Sequence, residues 1–149
     1  MKKFEITIAV IALIALGLKL LQIPGAGLLI TVSLMTYNVA YSFLGFVILN
    51  KIRIIDILKK DSYNEISHLR IVGSVYLGWA LGITIYGVLF KIMLWKGADT
   101  MLLTGISSLL VFAIVAIVKY VKTRSQFYVG VLTRIAIVGG LGLISYFLF

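Results

Sequence analysis

Lys19-Leu20-Leu21-Gln22-Ile23-Pro24-Gly25-Ala26 and Lys91-Ile92-Met93-Leu94-Trp95-Lys96-Gly97-Ala98 stand 72 positions apart in a chain of 149 residues. Each stretch is preceded by an apolar run ending in its lysine and followed by a second apolar run. A fixed period with hydrophobic arms about a short hinge is the mark of an internal structural repeat. Pro24-Gly25 is a helix-stopping turn signal, and the second copy puts Lys96 in place of the proline while keeping Gly97. The unit this describes is a tight, antiparallel helical hairpin.

Outward from the hinges, five apolar segments can be read: Phe4 to Leu21, Gly27 to Leu49, Ile71 to Phe90, Thr100 to Val118, and Phe127 to Phe149. Each comes within a few residues of the roughly 20 that a helix needs to cross a hydrocarbon core. Helices are required because unpaired peptide groups are too costly in lipid, and nothing alternates as barrel strands would. The expected fold is therefore all-α and polytopic, with two tandem, parallel-repeat hairpins and one C-terminal helix. Its divisions are a first hairpin (1–50), a basic loop (51–70), a second hairpin (71–126) and a final transmembrane helix (127–149). In the loop, Ile52, Ile55 and Leu58 recur at helical spacing beside Lys51, Arg53, Lys59 and Lys60. This fits either an amphipathic surface helix or a continuation of the second span.

Composition points the same way. Hydrophobic residues make up 62% of the chain and charged residues 13%, against about 45–50% and about 25% in soluble domains. The mean hydropathy is +1.14. There is no cysteine, which excludes disulfides and thiolate chemistry. The net charge of +9 lies in short segments between the apolar runs, where it sets orientation and meets anionic headgroups. No nucleic-acid-binding motif accompanies it. With the N-terminus in the cytoplasm, Lys2, Lys3, Lys51, Arg53, Lys59, Lys60, Arg70, Lys119, Lys122 and Arg124 fall inside, and Arg134 near them. Only Lys19, Lys91 and Lys96 fall outside. The positive-inside rule thus expects a multi-pass protein of the cytoplasmic (inner) membrane with a periplasmic C-terminus. Lys2 and Lys3, the run from Ile6 to Leu18 and Ala15-Leu16-Gly17 also imitate a signal peptide. Retention is expected, because cleavage would strip the first hairpin of an arm.

The stretch from Gly87 through Lys91, Trp95, Gly97 and Ala98 resembles the N-terminal membrane hairpin of the gliding-motility protein GldL. That hairpin carries a pattern like G-x-L-F-K-I-x-H-W-P-G-A followed by L-L-T-x-G-L-L-T-E. Gly25 to Thr36 resembles the second half of the same motif. The resemblance covers both hairpins but neither the loop nor the fifth span. It implies descent from a subunit of a proton-driven rotary motor in which a lysine of the first helix pairs with a glutamate of the second. Lys19 and Lys91 take the lysine positions. The glutamate falls on Tyr37 and Leu109, and the histidine on Gln22 and Leu94, so both copies lack the carboxylate. The motor subunit's long cytoplasmic tail has no counterpart either. A proton relay needs titratable groups at depth, and the spans offer only Glu5, at the lip of the first. Lys19 and Lys91 are expected to snorkel to the outer headgroups.

Residues outside the motif admit two readings. Ser74, Gly78 and Gly82, like Ala136 and Gly140, are small residues four apart, suited to close packing within the chain or to a homo-oligomer. Thr31, Met35, Asn38 and Ser42 share a face of the second span. Asn38 and Arg134 could mark a polar path or a lipid contact, and Arg134 could hold a partner's carboxylate or snorkel beside Lys122 and Arg124. His68 lies in the loop; Trp79 and Trp95 suit packing and interfacial anchoring. No paired carboxylates, nucleophile elbow, phosphate loop or metal-ligand spacing occurs, so no enzymatic activity, cofactor or metal is expected. The expected role is a structural or accessory membrane subunit without motor chemistry, in contact with the bilayer and with other membrane proteins. The alternative is a small transporter or channel with its path between the hairpins.

Overall fold

The computed structural model describes residues 2–57, 59 and 66–148, without the side chains of residues 2–4 and 54. The fold is all-α. Five helices follow one another: α1 (Lys2–Leu20), α2 (Ala26–Leu49), α3 (His68–Ile92), α4 (Ala98–Thr123) and α5 (Gln126–Leu148). No strand occurs among the described residues. Helices α2 to α5 are long and apolar enough to cross a membrane. Helix α1 differs: its uncharged stretch runs only from Ile6 to Leu18, between Glu5 and Lys19. Those residues span about 20 Å as a helix, short of the roughly 30 Å hydrocarbon core. Its charged ends therefore have to be accommodated, which gives the position of Glu5 its importance.

Close contacts fix the directions of the helices. Along α2 and α3, Asn38 and Ser42 meet Gly82, Gly45 meets Gly78, and Asn50 bonds Ser74. Rising numbers on α2 meet falling numbers on α3, so the two are antiparallel. Thr84 meeting Gly105 and Leu102 meeting Gly87 give the same relation for α3 and α4. Helices α3 and α5 run parallel, since Arg70 lies over Phe127 and Thr84 packs on Gly142. Helix α3 is central and packs against α2, α4 and α5.

The small residues of α3 serve packing within the chain. A Cβ on Gly45 would stand 2.7 Å from the Gly78 Cα, and one on Gly78 would stand 2.5 Å from the Tyr41 carbonyl oxygen. Backbone meets backbone there, which only glycine permits. Ala136 and Gly140 behave differently: Ala136 is exposed and nothing approaches within 4 Å of a Cβ on Gly140. The main core joins Tyr41, Ile48, Leu81, Ile85, Leu109 and Val138, and a second, under the hairpin turns, joins Ala15, Ile30, Val88, Ile92 and Leu102. Helix hydroxyls bond their own backbones: Thr31, Ser33, Thr84, Thr104 and Thr133 each donate to the carbonyl four residues earlier. This satisfies a hydroxyl in apolar surroundings without a partner helix.

The two hairpin turns have the same backbone. Gln22 and Leu94 both take φ 56°, and Gly25 and Gly97 take φ 85° and 87°. Gln22 N–H donates to Lys19 and Ile23 N–H to Leu18; Leu94 N–H donates to Lys91 and Trp95 N–H to Phe90. This is the Schellman pattern, which closes the last orphan carbonyls of a helix. The turns are neighbours at one end of the bundle, where Met93 packs on Gly27.

Helix α2 ends in the same way, with Lys51 at φ 57° and Ile52 N–H donating to Val47. The left-handed residue turns the chain off the helix axis. Neither expected form of the loop is therefore present across Lys51–Ile57: a single 3-10 turn, Ile54–Asp56, follows, with Ile52 buried and Ile55 exposed. Leu58, Lys60, Asp61 and Glu65 lie outside the described residues. Helix α3 begins at His68, inside the expected loop, because Ser67 Oγ accepts from Arg70 N–H. Helices α4 and α5 are joined by Arg124 and Ser125 alone, so Lys119 and Lys122 lie on the last turns of α4.

Candidate functional site

Away from the turns, three helices bring together Glu5, Tyr41 and Arg134. Glu5 is in the first turn of α1, where the helix dipole favours a carboxylate. Arg134 Nη2 donates to Glu5 Oε2 at 2.7 Å and its Nε to Glu5 Oε1 at 3.0 Å, a two-pronged geometry matching guanidinium to carboxylate. Tyr41 donates its hydroxyl to Glu5 Oε1 at 2.5 Å and accepts from Arg134 Nε at 3.2 Å. Arg134 Nη1 donates to the Gly130 carbonyl at 3.1 Å. The Glu5 and Arg134 side chains are only 11% and 20% exposed, and Tyr41 is fully buried, with Tyr37 edge-on to it at 5.1 Å. Burial of a carboxylate and a guanidinium is tolerable here because each charge is paired and hydrogen-bonded.

This corrects the expectation that Arg134 snorkels beside Lys122 and Arg124. Arg134 turns inward, and the carboxylate it holds belongs to its own chain. Sequence reasoning placed Glu5 at the lip of α1 and set Tyr41 only beside the polar face of the second span, without joining it to Glu5 or Arg134. A usable signal existed, since Glu5 is the only acid on α1 and Arg134 the only charge on α5, and lone opposite charges on apolar helices have strong reason to pair.

At the opposite end, Lys91 does have a carboxylate. Its Nζ lies 2.6 Å from Asp99 Oδ1 and 5.5 Å from the centroid of the Tyr146 ring. The lysine side chain is 16% exposed and that of Asp99 63%. Asp99 precedes the apolar run that begins at Thr100, so it fell outside the span as read from sequence. Lys19 has no matching acid, because Gly27 stands 72 positions before Asp99, at the corresponding place after the first turn. Trp95 is 40% exposed and edge-on to Phe90 at 5.0 Å. Ala26 and Ala98 are buried at the starts of α2 and α4, whereas Pro24, Gly25 and Gly97 are exposed in the turns.

Asn38 and Arg134 are not brought into one path. Asn38 Oδ1 accepts from Ser42 Oγ at 3.1 Å, and both side chains pack on Gly82. Arg134 has the separate partners named above. Near the loop, Lys59 pairs with Asp56 at 2.9 Å on the exposed surface. His68 is exposed at the start of α3.

Comparison with protein-family models finds no match. Comparisons with curated proteins and with solved structures find no significant match.

Proposed function

We propose that this chain is a non-enzymatic, multi-pass protein of the cytoplasmic membrane that acts as a structural or accessory subunit and carries no proton-motor chemistry. The observation that supports this best is how the interior is filled. Helices α2 and α3 touch through glycine backbones at Gly45 and Gly78. The buried carboxylate of Glu5 is held by Arg134 and Tyr41, at one end of the bundle. Such an arrangement joins helices and leaves the acid engaged, whereas a relay needs acids free to exchange protons at depth.

The matching turn geometries support a duplicated hairpin, and we read that hairpin as a GldL-like relative that has lost its glutamate. The topology also gathers Lys51, Arg53, Arg70, Lys119, Lys122 and Arg124 at the end of the bundle away from the hairpin turns. That supports a cytoplasmic N-terminus and a periplasmic C-terminus by the positive-inside rule. The test is reconstitution of the full chain in proteoliposomes. We expect proton flux no greater than in protein-free vesicles, with Lys91→Ala unchanged. Proton flux abolished by Lys91→Ala or Glu5→Gln would overturn the reading in favour of a transporter.

A further inference from the structure

The α3–α4 turn carries side chains that its backbone does not require. The α1–α2 turn reaches the same dihedrals and hydrogen bonds with Ile23, Pro24 and Gly27 where the second has Trp95, Lys96 and Asp99. Those three residues are thus surplus to shaping the turn. With Lys91 they line an open cleft of about 210 Å³. Lys91 is already engaged by Asp99 and Tyr146. Two charged groups remain for a ligand: the exposed ammonium of Lys96 and the second oxygen of the largely exposed Asp99 carboxylate. Gly97 gives α4 no side-chain cap, and Asp99 stands in the first turn of that helix, where the helix dipole favours a carboxylate. The cleft therefore offers one cationic and one anionic contact, beside a half-exposed tryptophan, at the end of two membrane-length helices.

We propose that this cleft binds the headgroup of an aminophospholipid. Lys96 takes the phosphodiester, Asp99 takes the primary ammonium, and Trp95 lies along the glycerol and upper acyl region, as interfacial aromatics do. The pairing explains the selectivity expected of it. A trimethylammonium headgroup has no N–H to donate to Asp99. A phosphoglycerol headgroup has no ammonium to donate to the second Asp99 oxygen, the first being taken by Lys91. The proposal rests on reading α3 and α4 as membrane spans.

The test uses the full chain in detergent, exposed to equal amounts of phosphatidylethanolamine, phosphatidylcholine and phosphatidylglycerol, with retained lipid counted by native mass spectrometry. The expected result is preferential retention of phosphatidylethanolamine. Asp99→Asn should remove that preference by about tenfold, the value of one charge-assisted hydrogen bond. Lys96→Gln should weaken all three lipids, and Gln22→Ala in the other turn should change nothing. Soluble glycerophosphoethanolamine added as competitor separates the sources: displacement places recognition in the headgroup, and retention without displacement shows that the acyl chains contribute. Equal retention of the three lipids by the wild type, which needs no variant to fold, would overturn the proposal. Release of the chain from membranes by alkaline carbonate would instead overturn the membrane reading beneath it.

Discussion

Removing the charge of Glu5 tests the three-helix cluster directly. In Glu5→Gln, the Arg134 guanidinium loses its carboxylate and keeps only neutral acceptors, the Tyr41 hydroxyl at 3.2 Å and the Gly130 carbonyl at 3.1 Å. Breaking one side of a buried ion pair costs about 3–5 kcal/mol, because the other charge stays buried without compensation. Arg134 retains two hydrogen bonds and a fifth of its side-chain surface, so the lower end, about 3 kcal/mol, is expected. Arg134→Met leaves the carboxylate with Tyr41 alone and should cost a similar amount. The double variant Glu5→Gln/Arg134→Met removes both charges, while the introduced amide can still accept from the Tyr41 hydroxyl. It should lie within about 1 kcal/mol of the wild type, since replacing a whole buried pair is often close to neutral. The assay is reversible unfolding of the full chain in mixed micelles with increasing dodecyl sulfate, followed by circular dichroism and Trp79 and Trp95 fluorescence. The reasoning fails if either single change costs less than about 0.5 kcal/mol, as an exposed pair would. It also fails if the double variant equals the sum of the singles, since coupled partners must be non-additive.

Three further outcomes follow from the packing. Gly78→Ala should destabilise by about 1–3 kcal/mol, because its Cβ would stand 2.5 Å from the Tyr41 carbonyl oxygen and backbone cannot yield cheaply; Gly140→Ala, with nothing within 4 Å, should be neutral or slightly stabilising in the same assay. Leu94→Gly should stabilise by about 0.5–1 kcal/mol despite adding chain flexibility, because Leu94 is 78% exposed and held at φ 56°; a loss of stability would mean that its side chain contributes in the turn. Single cysteines introduced at positions 22 and 94 should react with an impermeant thiol reagent from the same side of the membrane, since Met93 packs on Gly27. Labelling from opposite sides would break the topology.

Two features of the chain illustrate how far local sequence reaches. The helices and both hinges were legible, because an apolar run of membrane length admits few backbone solutions and Gly25 and Gly97 mark where it must turn. The course of the chain after Leu49 was not legible. Lys51 adopts the left-handed conformation with no glycine to announce it, as Gln22 and Leu94 do in the turns. Periodicity in Ile52 and Ile55 could not reveal that the chain had already left the helix axis. The Lys91–Asp99 pair was hidden for a related reason, since the carboxylate lies across the turn and outside the apolar run.

What sequence alone determined here is everything set by the distance between neighbours along the chain: five helices, the two hairpins, and the separation of basic loops from apolar arms. Only the tertiary structure decided which charges meet. Glu5 and Arg134 lie at nearly opposite ends of the chain and come within 2.7 Å because α1 and α5 both pack near Tyr41 of α2. Local patterning reports the cost of burying each charge, but the partner that offsets that cost is chosen by how the helices assemble.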